Sequence, residues 1–274
     1  MTITVRELTS HAEFAEAERV QKKAWGMEDL MVTPKEIMIA IASNGGIVLG
    51  AYDGEAMIGV SVALPGRRHG RMYMYSHITG VSRERQSRGV GRILKEKQRE
   101  LSAERGHRLV AWTFDPIISR NAYFNFVKLG VVSRTYFANY YGSMNDAINF
   151  GWETDRFLAE QFLDKKIIRM IRGSGNPTSA AHSAIKSRQT GAYLKCLDWS
   201  IDLKAPSVLV DIPKDVLAIK TSHAEEAERW RLATREVFQT YFDEGFTAVR
   251  LLERTGGFSY LLKKVQLPTN IFAE

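Results

Sequence analysis

The feature that most constrains this chain is a strand pattern that passes through an arginine-rich loop into a helix pattern. Residues 72–81 are rich in aromatic and β-branched side chains, which is typical of a long strand. Residues 89–104 repeat apolar side chains every three or four positions, as one face of a helix does. A strand followed directly by an amphipathic helix favours a layered α/β fold.

The rest of the first half alternates strand and helix patterns in the same way. Further strands are predicted at 2–8, 47–52, 57–64, 109–114 and 131–137, and further helices end near 25, begin near 34 and span 119–129. Asp53-Gly54 suits a tight hairpin turn, so the strands on either side should be antiparallel neighbours. We therefore predict an α/β (α+β) fold with a mixed, mostly antiparallel sheet and helices on both faces.

A change of composition divides the chain in the sequence-based prediction. Residues 1–163 form a first domain, and 164–190 read as a basic loop or linker that contains Gly and Ser. Residues 191–274 carry strand patterns around one strong helix pattern and form a smaller α/β extension.

Composition and charge limit the functional classes. The chain has 274 residues, of which 45% are apolar and 25% charged, as in globular proteins. The single cysteine excludes an internal disulfide, and no zinc-ligand spacing or other metal site is recognised. No apolar run approaches the ~20 residues that span a bilayer, and the N-terminus does not resemble a leader, so we expect a cytoplasmic protein. The net charge of +7 favours an anionic partner without choosing one.

The loop and helix start carry the most specific chemistry. Gly89 and Gly91 lack side chains that would block close approach to the backbone, and the first N–H groups of a helix have no partners within it. Such a helix start suits a pyrophosphate, to which Arg85, Arg88 and Arg92 could add charge-assisted contacts. No nucleotide-binding P-loop is present, and the glycines are placed too late for a dinucleotide turn.

Two motifs at a fitting separation resemble one family. Residues 86–91, Gln-Ser-Arg-Gly-Val-Gly, match the Gln/Arg-x-x-Gly-x-Gly/Ala pattern of the GNAT acyltransferase superfamily. Residues 119–130 resemble the family's next helix, which closes with Lys-Leu-Gly as at 128–130. The resemblance covers about residues 1–140, and the remainder looks like the C-terminal extension of a longer GNAT-like subgroup.

The resemblance implies acetyl-CoA, or another short acyl-CoA, as co-substrate. In the family the acyl arm enters between the fourth and fifth strands, where Gly80 and Val81 would face Trp112 and Thr113. The implied cofactor-binding residues are Gly80, Val81, Gln86, Ser87, Arg88, Gly89, Val90, Gly91, Arg92, Asn121 and Asn125.

Two residues are the catalytic candidates. His77 is the expected base. It lies four residues before Val81, so it should share one face of the strand with Val81 and Tyr75. A histidine that is hydrogen-bonded within the sheet is about as good an interpretation. The family's usual tyrosine acid corresponds to Phe126, which has no proton to give. Tyr123 is the expected substitute, with Tyr136 and Tyr140 as alternatives. The thiolate could also leave unprotonated or take a proton from water. Cys196 is not expected to carry the acyl group.

We therefore expect an N-acyltransferase that moves an acetyl or other short acyl group, such as succinyl, to the amine of a small molecule or amino acid by direct attack in a ternary complex. The alternative is a catalytically silent acyl-CoA-binding or regulatory module. Nucleic-acid binding is disfavoured because the basic run coincides with the cofactor motif, no membrane partner is expected, and a homodimer is left open.

Overall fold

The chain forms two compact units. The computed structural model describes residues 3–25, 32–86, 88–144, 151–174, 181–191 and 193–273. The first unit is Met1–Trp112 and the second is Thr113–Glu274.

The first unit is a sheet with helices on its faces. Its elements in chain order are β1 (Ile3–Glu7), α1 (His11–Trp25), α2 (Lys35–Ser43), β2 (Ile47–Asp53), β3 (Ala56–Arg68), β4 (Arg71–Val81), α3 (Val90–Glu104) and β5 (Leu109–Phe114), whose last two residues fall in the second unit. Strands β1 to β4 pair antiparallel in chain order, and β5 joins β4 in parallel. The predicted mixed, mostly antiparallel sheet is confirmed.

The two faces of this sheet differ in chemistry. Val60 and Val62 of β3 belong to an apolar core with Phe14, Ala17 and Met38 of the first two helices. Ser61, between the two valines, points to the other face, where it accepts a hydrogen bond from Gln98 of α3 at 2.8 Å. Because strand side chains alternate, α1 and α2 cover one face and α3 covers the other.

The gap between the predicted strands 57–64 and 72–81 is mostly strand. β3 continues to Arg68 and pairs Pro65 with Met74 and Gly66 with Tyr73. A β-carbon on Gly66 would lie 2.6 Å from the Tyr73 ring, so the missing side chain leaves room for that ring. The basic residues of this segment therefore belong largely to a hairpin.

The described residues of the second unit form four α-helices, a π-helical turn and eight strands. Its elements are α4 (Ser119–Tyr123), a π-helical turn (Phe124–Lys128), β6 (Tyr136–Phe137), β7 (Arg156–Phe162), α5 (Lys165–Ser174), β8 (His182–Ser183), β9 (Ile185–Thr190), β10 (Tyr193–Trp199), β11 (Ser207–Pro213), α6 (Val216–Ser222), α7 (Ala224–Asp243), β12 (Thr247–Arg254) and β13 (Gly257–Lys263). Strands β12, β13, β11 and β8 form one sheet in that order, while β9 pairs with β10 and β6 with β7.

The compact units do not follow the predicted boundary at residue 163. The chain divides after Trp112 instead, and the expected linker 164–190 contains α5 and β9, while 175–180 lie outside the described residues. Strand β7 was not predicted, and the strand expected at 131–137 is reduced to β6 and isolated bridges at Val132 and Ser133. The functional assignment of the three ranges stays a prediction.

A buried ion pair holds the chain that leaves β5. Arg231 of α7 is 1% exposed and donates to both carboxylate oxygens of Asp115, at 2.9 and 2.6 Å. Arg156 lies 3.8 Å from the same carboxylate. Such a pair is costly to break on one side only, because the remaining charge stays in a medium that solvates it poorly.

We expect Arg231→Met to lower the free energy of unfolding by about 3–5 kcal/mol, since the buried Asp115 carboxylate keeps the hydrogen bond from the Ile117 N–H but loses its close arginine and retains only the longer contact to Arg156 as a charge partner. Urea unfolding followed by circular dichroism measures the change. Arg254→Met, which removes an exposed arginine from β12, should stay within about 0.5 kcal/mol of the parent. Equal losses in the two variants would contradict the role given to the buried pair.

Candidate functional site

A β-bulge interrupts β4 at His77. The β3 partner of Ile78 is Val62 and that of Ser76 is Ala63, so His77 is an extra residue without its own partner in the ladder. The bulge shifts the alternation of side chains by one. Tyr75 and Val81 therefore lie on opposite faces, and the prediction that His77 shares one face with both is wrong.

The strands β4 and β5 are joined only briefly. Their described ladder consists of Met74 opposite Val110 and Tyr75 opposite Ala111. The next residues, Ser76 and Trp112, are no longer paired with each other. Beyond this last pair the two strands separate toward their C-terminal ends, next to the bulge. We call this gap between β4 and β5 the fork.

The helix that follows β4 begins without a side-chain cap. Gly89 is its N-cap residue with φ +83°, a left-handed conformation that favours glycine, and no side chain bonds to the first-turn N–H groups. A β-carbon at Gly89 would meet nothing within 4 Å, so the space in front of this turn is open. The geometry of the predicted anion cradle is present.

The arginines near the cradle differ in their side-chain ion pairs. Arg85 forms an ion pair with Asp53 at 2.7 Å, and Arg92 pairs with Glu96 at 2.8 Å. Arg88 is exposed in the loop directly before Gly89. Of the three predicted arginines, Arg88 therefore needs no side-chain ion pair to be broken before it reaches an anion at the cradle.

The loop itself is anchored to the end of β4. The Gln86 amide donates to the carbonyl oxygens of Val81 at 3.1 Å and Ala24 at 3.4 Å. Gly80 lies against the Trp25 ring, where a β-carbon would approach the ring to 2.3 Å. Gln86 and Gly80 thus have packing reasons of their own, and their cofactor roles stay predictions. Ser87 lies outside the described residues.

His77 is exposed on β4. Desolvation by the protein atoms around the imidazole lowers its pKa from the usual 6.5. A lowered pKa keeps the ring neutral at pH 7, and a neutral ring can accept a proton. These properties suit a general base, although they do not assign the role.

A polar layer between α3 and the sheet was not predicted. The apolar period of residues 89–104 includes Ile93, but Ile93 is 37% exposed. The buried residues of the helix are Val90, Leu94, Lys95, Gln98 and Ser102. These five residues follow the helical period. The same period predicts them from the sequence if polar residues are allowed on the inner face.

Lys95 lies at the centre of this layer. Its ammonium donates to Ser76 Oγ and Gln98 Oε1, both at 2.9 Å, and lies 3.5 Å from the centre of the Trp112 ring. Lys95 is 3% exposed, and burial lowers its pKa well below the usual value. The contacts in the described chain include no carboxylate partner for this nitrogen, so nothing in them offsets the effect of burial on its pKa.

The remaining predicted site residues belong to the second unit. Tyr123 is 37% exposed at the end of α4, with its ring 6.0 Å from that of Phe258. Asn121 is half-buried on α4, whereas Asn125 is buried in the π-helical turn, a feature that is frequent at functional sites.

The other aromatic candidates are held in different ways. Phe126 is 7% exposed and its ring lies 5.1 Å from that of Tyr260. The Tyr136 hydroxyl donates to Asp155, and burial raises its pKa well above the usual value. Tyr140 is 45% exposed and stacks on Phe137. Tyr136 is therefore a poor proton donor to a substrate, while Tyr140 keeps an exposed ring.

Cys196 does not have the environment of a nucleophile. It is fully buried, and burial raises the pKa of its thiol to about 11. A shallow cleft of about 730 Å³ lies beside it in the second unit, between β10 and the start of α7, and no predicted site residue lines it. The thiol would be protonated at neutral pH and inert toward a thioester.

In the parts of the chain that the structure describes, no helix is long and apolar enough to cross a membrane. No group of three or more His, Cys, Asp or Glu side chains comes together as a candidate set of metal ligands in the described parts of the chain.

No family model matches the chain, and no curated protein matches it significantly. Among solved structures it is similar to the ribosomal-protein-S18-alanine N-acetyltransferase of Escherichia coli, with 13% identity, 60% of this chain and 95% of that chain covered, and a TM-score of 0.48. A GNAT-family acetyltransferase from Streptococcus pneumoniae gives 17% identity over 59% of this chain and 99% of that chain, with a TM-score of 0.48. A GNAT-family acetyltransferase from Elizabethkingia anophelis with acetyl-CoA bound gives 14% identity over 58% of this chain and 97% of that chain, with a TM-score of 0.44.

Two of these three structures carry the family name that the two motifs suggested. The identities of all three are far too low, and their TM-scores too modest, to decide the activity or acceptor of this chain. The functional argument therefore rests on the motifs and on the geometry of the fork and helix start.

The buried lysine predicts a pH-dependent stability. Because its pKa is lower in the folded chain than in the unfolded chain, the unfolded state binds more protons between the two values, and parent stability should rise with pH there. Lys95→Met removes this term. The stability of the variant relative to the parent should therefore be greatest at the lowest pH and decline toward the unfolded pKa of about 10.4.

Urea unfolding of both proteins from about pH 6 to about pH 9 measures this trend. Lys97→Met is the matched control, since Lys97 lies on the same helix and pairs with Glu100 at 3.1 Å near the surface. A stability difference between parent and Lys95→Met that does not vary with pH would show that Lys95 titrates alike in both states.

Proposed function

We propose that the protein transfers an acetyl or other short acyl group, such as succinyl, from coenzyme A to the amine of a small molecule or amino acid. One observation carries the proposal: a fork between two parallel strands opens in the same unit as an uncapped helix start with the family's glycine pattern. Such a fork can admit a narrow chain, while the helix start suits phosphates.

The first turn of α3 would hold the pyrophosphate. The backbone N–H groups of Val90, Gly91 and Arg92 have no side-chain cap, and Arg88 adds an exposed positive charge beside them. The absence of a side chain at Gly89 keeps the approach open. The helix dipole contributes typically 0.3–1 kcal/mol per favourable anionic charge, and an arginine contact adds a charge-assisted hydrogen bond.

The bulge would supply the polar groups at the reacting centre. Coenzyme A provides the activated thioester, and the chain must accept a proton from the amine and stabilise a carbonyl oxygen that gains charge. His77 is the base we propose, because it is exposed and its lowered pKa favours the neutral ring. A bulged residue is left out of the ladder, so backbone groups at this point can serve the substrate oxygen.

The resemblance also assigns roles to Asn121, Asn125 and Tyr123. Asn121 and Asn125 could hydrogen-bond the amides of the acyl arm, and Tyr123 could give a proton to the departing thiolate. The exposure of Tyr123 supports this role only in that its hydroxyl is not enclosed in the core.

The second candidate function is a silent acyl-CoA-binding or regulatory module. Phe126 favours it, because a ring without a hydroxyl is packed where the resemblance expects a proton donor. His77 favours catalysis. Binding of acetyl-CoA with no transfer to any amine in a broad screen would support the silent module.

Gly89→Glu should reduce the affinity for acetyl-CoA, succinyl-CoA and free coenzyme A by at least about tenfold, because it places a carboxylate and a strained left-handed residue at the cradle. Calorimetric titration measures the affinities. Gly106→Glu is the matched control, since Gly106 is also exposed, has φ +80° and follows the C-terminal end of α3. Parent protein that binds none of the three compounds would overturn the proposed function.

His77→Gln should lower kcat by about 10² to 10⁴ with an amine found by screening, while the dissociation constant for acetyl-CoA stays unchanged. The parent rate should fall on the acidic side of pH 6.5, because a protonated imidazole cannot accept the proton of the amine. Steady-state rates against pH measure both effects. His11→Gln removes an exposed imidazole from α1 and should leave the profile unchanged; a similar profile in His77→Gln would remove His77 from the mechanism.

A further inference from the structure

The cleft between β10 and the start of α7 lies within the second unit. Its volume of about 730 Å³ falls in the range of roughly 300–1,000 Å³ that is typical of small-molecule sites. Strand β10 contributes Tyr193 and Lys195 to its lining, and the first turns of α7 contribute Glu226 and Arg229. None of these side chains has a part in the proposed acyl transfer.

Side chains of α7 hold the edge of β10 in place. In the described residues β10 has a strand partner, β9, on one side. On its other side Cys196 donates its backbone N–H to Glu226 Oε1 at 2.6 Å, and the carbonyl oxygen of Cys196 accepts from Arg229 Nε at 2.9 Å. Arg229 also donates to the carbonyl oxygen of Leu197. The two walls of the cleft are therefore tied to each other by hydrogen bonds.

Glu226 brings a negative charge into the cleft without a cation beside it. Its side chain is buried, with 9% exposed, and forms no ion pair with a lysine or arginine in the described part of the chain. The Cys196 N–H and the positive N-terminal end of α7 stabilise the carboxylate. Glu225 is exposed next to it and lines the same cleft. This wall therefore suits an ammonium group.

Lys195 and Arg229 bring the opposite charge. Lys195 is exposed and has no ion-pair partner among the residues that the structure describes. An arginine has five N–H donors, and Arg229 uses one each for the carbonyl oxygens of Cys196 and Leu197. Its remaining donors and the lysine ammonium suit a carboxylate. The cleft thus presents both signs of charge.

An aromatic pair completes the lining. The Tyr193 ring is half-buried, and its centre lies 4.6 Å from that of the exposed His223 ring. Leu197 of the same cleft is 38% exposed. Ring and aliphatic surface of this kind favours an aromatic group in a ligand.

We propose that this cleft binds a free amino acid with an aromatic side chain. Glu226 receives the ammonium of the ligand, Lys195 and Arg229 receive its carboxylate, and its ring lies against Tyr193. A zwitterion matches both signs of charge, whereas a ligand with a single charge leaves one of them unmatched. The inference goes beyond the proposed function and does not depend on it, because no residue of the fork or of the helix start takes part.

The test is calorimetric titration of the full chain with L-phenylalanine, which we expect to bind with a dissociation constant below about 1 mM. Two analogues each lack one charge. 3-Phenylpropionate lacks the ammonium and 2-phenylethylamine lacks the carboxylate, so each should bind at least about tenfold more weakly.

Variants locate the binding site. Glu226→Gln removes the charge but keeps an oxygen that can accept from the Cys196 N–H, and it should weaken the binding of L-phenylalanine at least about tenfold. Lys195→Gln changes an exposed side chain and should also weaken it. Glu253→Gln, which neutralises an exposed acid of β12, is the matched control and should bind as the parent does.

The outcomes separate this inference from the proposed function. Parent protein that does not bind L-phenylalanine, or that binds either analogue equally well, overturns the inference. Equal binding by the parent and Glu226→Gln places the amino acid elsewhere, for example at the acceptor site of the proposed reaction, and overturns it too. Parent protein that binds L-phenylalanine in the expected manner but binds no coenzyme A supports this inference and contradicts the proposed function.

Discussion

One extra residue in β4 determines most of the first unit's functional geometry. The bulge at His77 shifts the alternation of side chains, so Ser76 points to α3 while Ile78 joins the core beneath α1 and α2. It also coincides with the end of the β4–β5 ladder.

The polar layer beneath α3 is the second constraint. Gln98 connects Lys95 to Ser61, and Ser61 is in turn bonded to Thr79 on β4. A fully connected buried network fixes the helix in register with the strands, since sliding α3 by one residue would leave several polar groups without partners. The helix start at Gly89 and the strand end at Val81 are thereby held by the same packing that positions the lysine.

The sequence predicted elements better than boundaries. Strand β5 and the helix start after Gly89 follow from local patterns, because their apolar residues have a clear period. Strand β7 was missed since it is buried on both faces yet contains Arg156, Glu160 and Gln161, whose partners come from distant parts of the chain. Arg134, for example, donates to Glu160 at 2.8 Å. A long-range ion pair of this kind has no signature in a local pattern.

The site shows the same limit. The glycine motif indicated the cradle, but neither the bulge nor the inward direction of Lys95 could be read locally, because both depend on how β3, β4 and α3 meet. The face assignment of His77 failed for that reason: it assumed an unbroken strand.

Packing explains why Phe126 stands at the position where the resemblance expects a tyrosine. Phe126 meets Tyr260 and Phe114 edge-on, with ring centres 5.1 and 6.3 Å away. A hydroxyl on a ring in this cluster would need a buried partner or cost free energy. The residue thus serves the aromatic core of the second unit, and any acid for a leaving thiolate must come from another element.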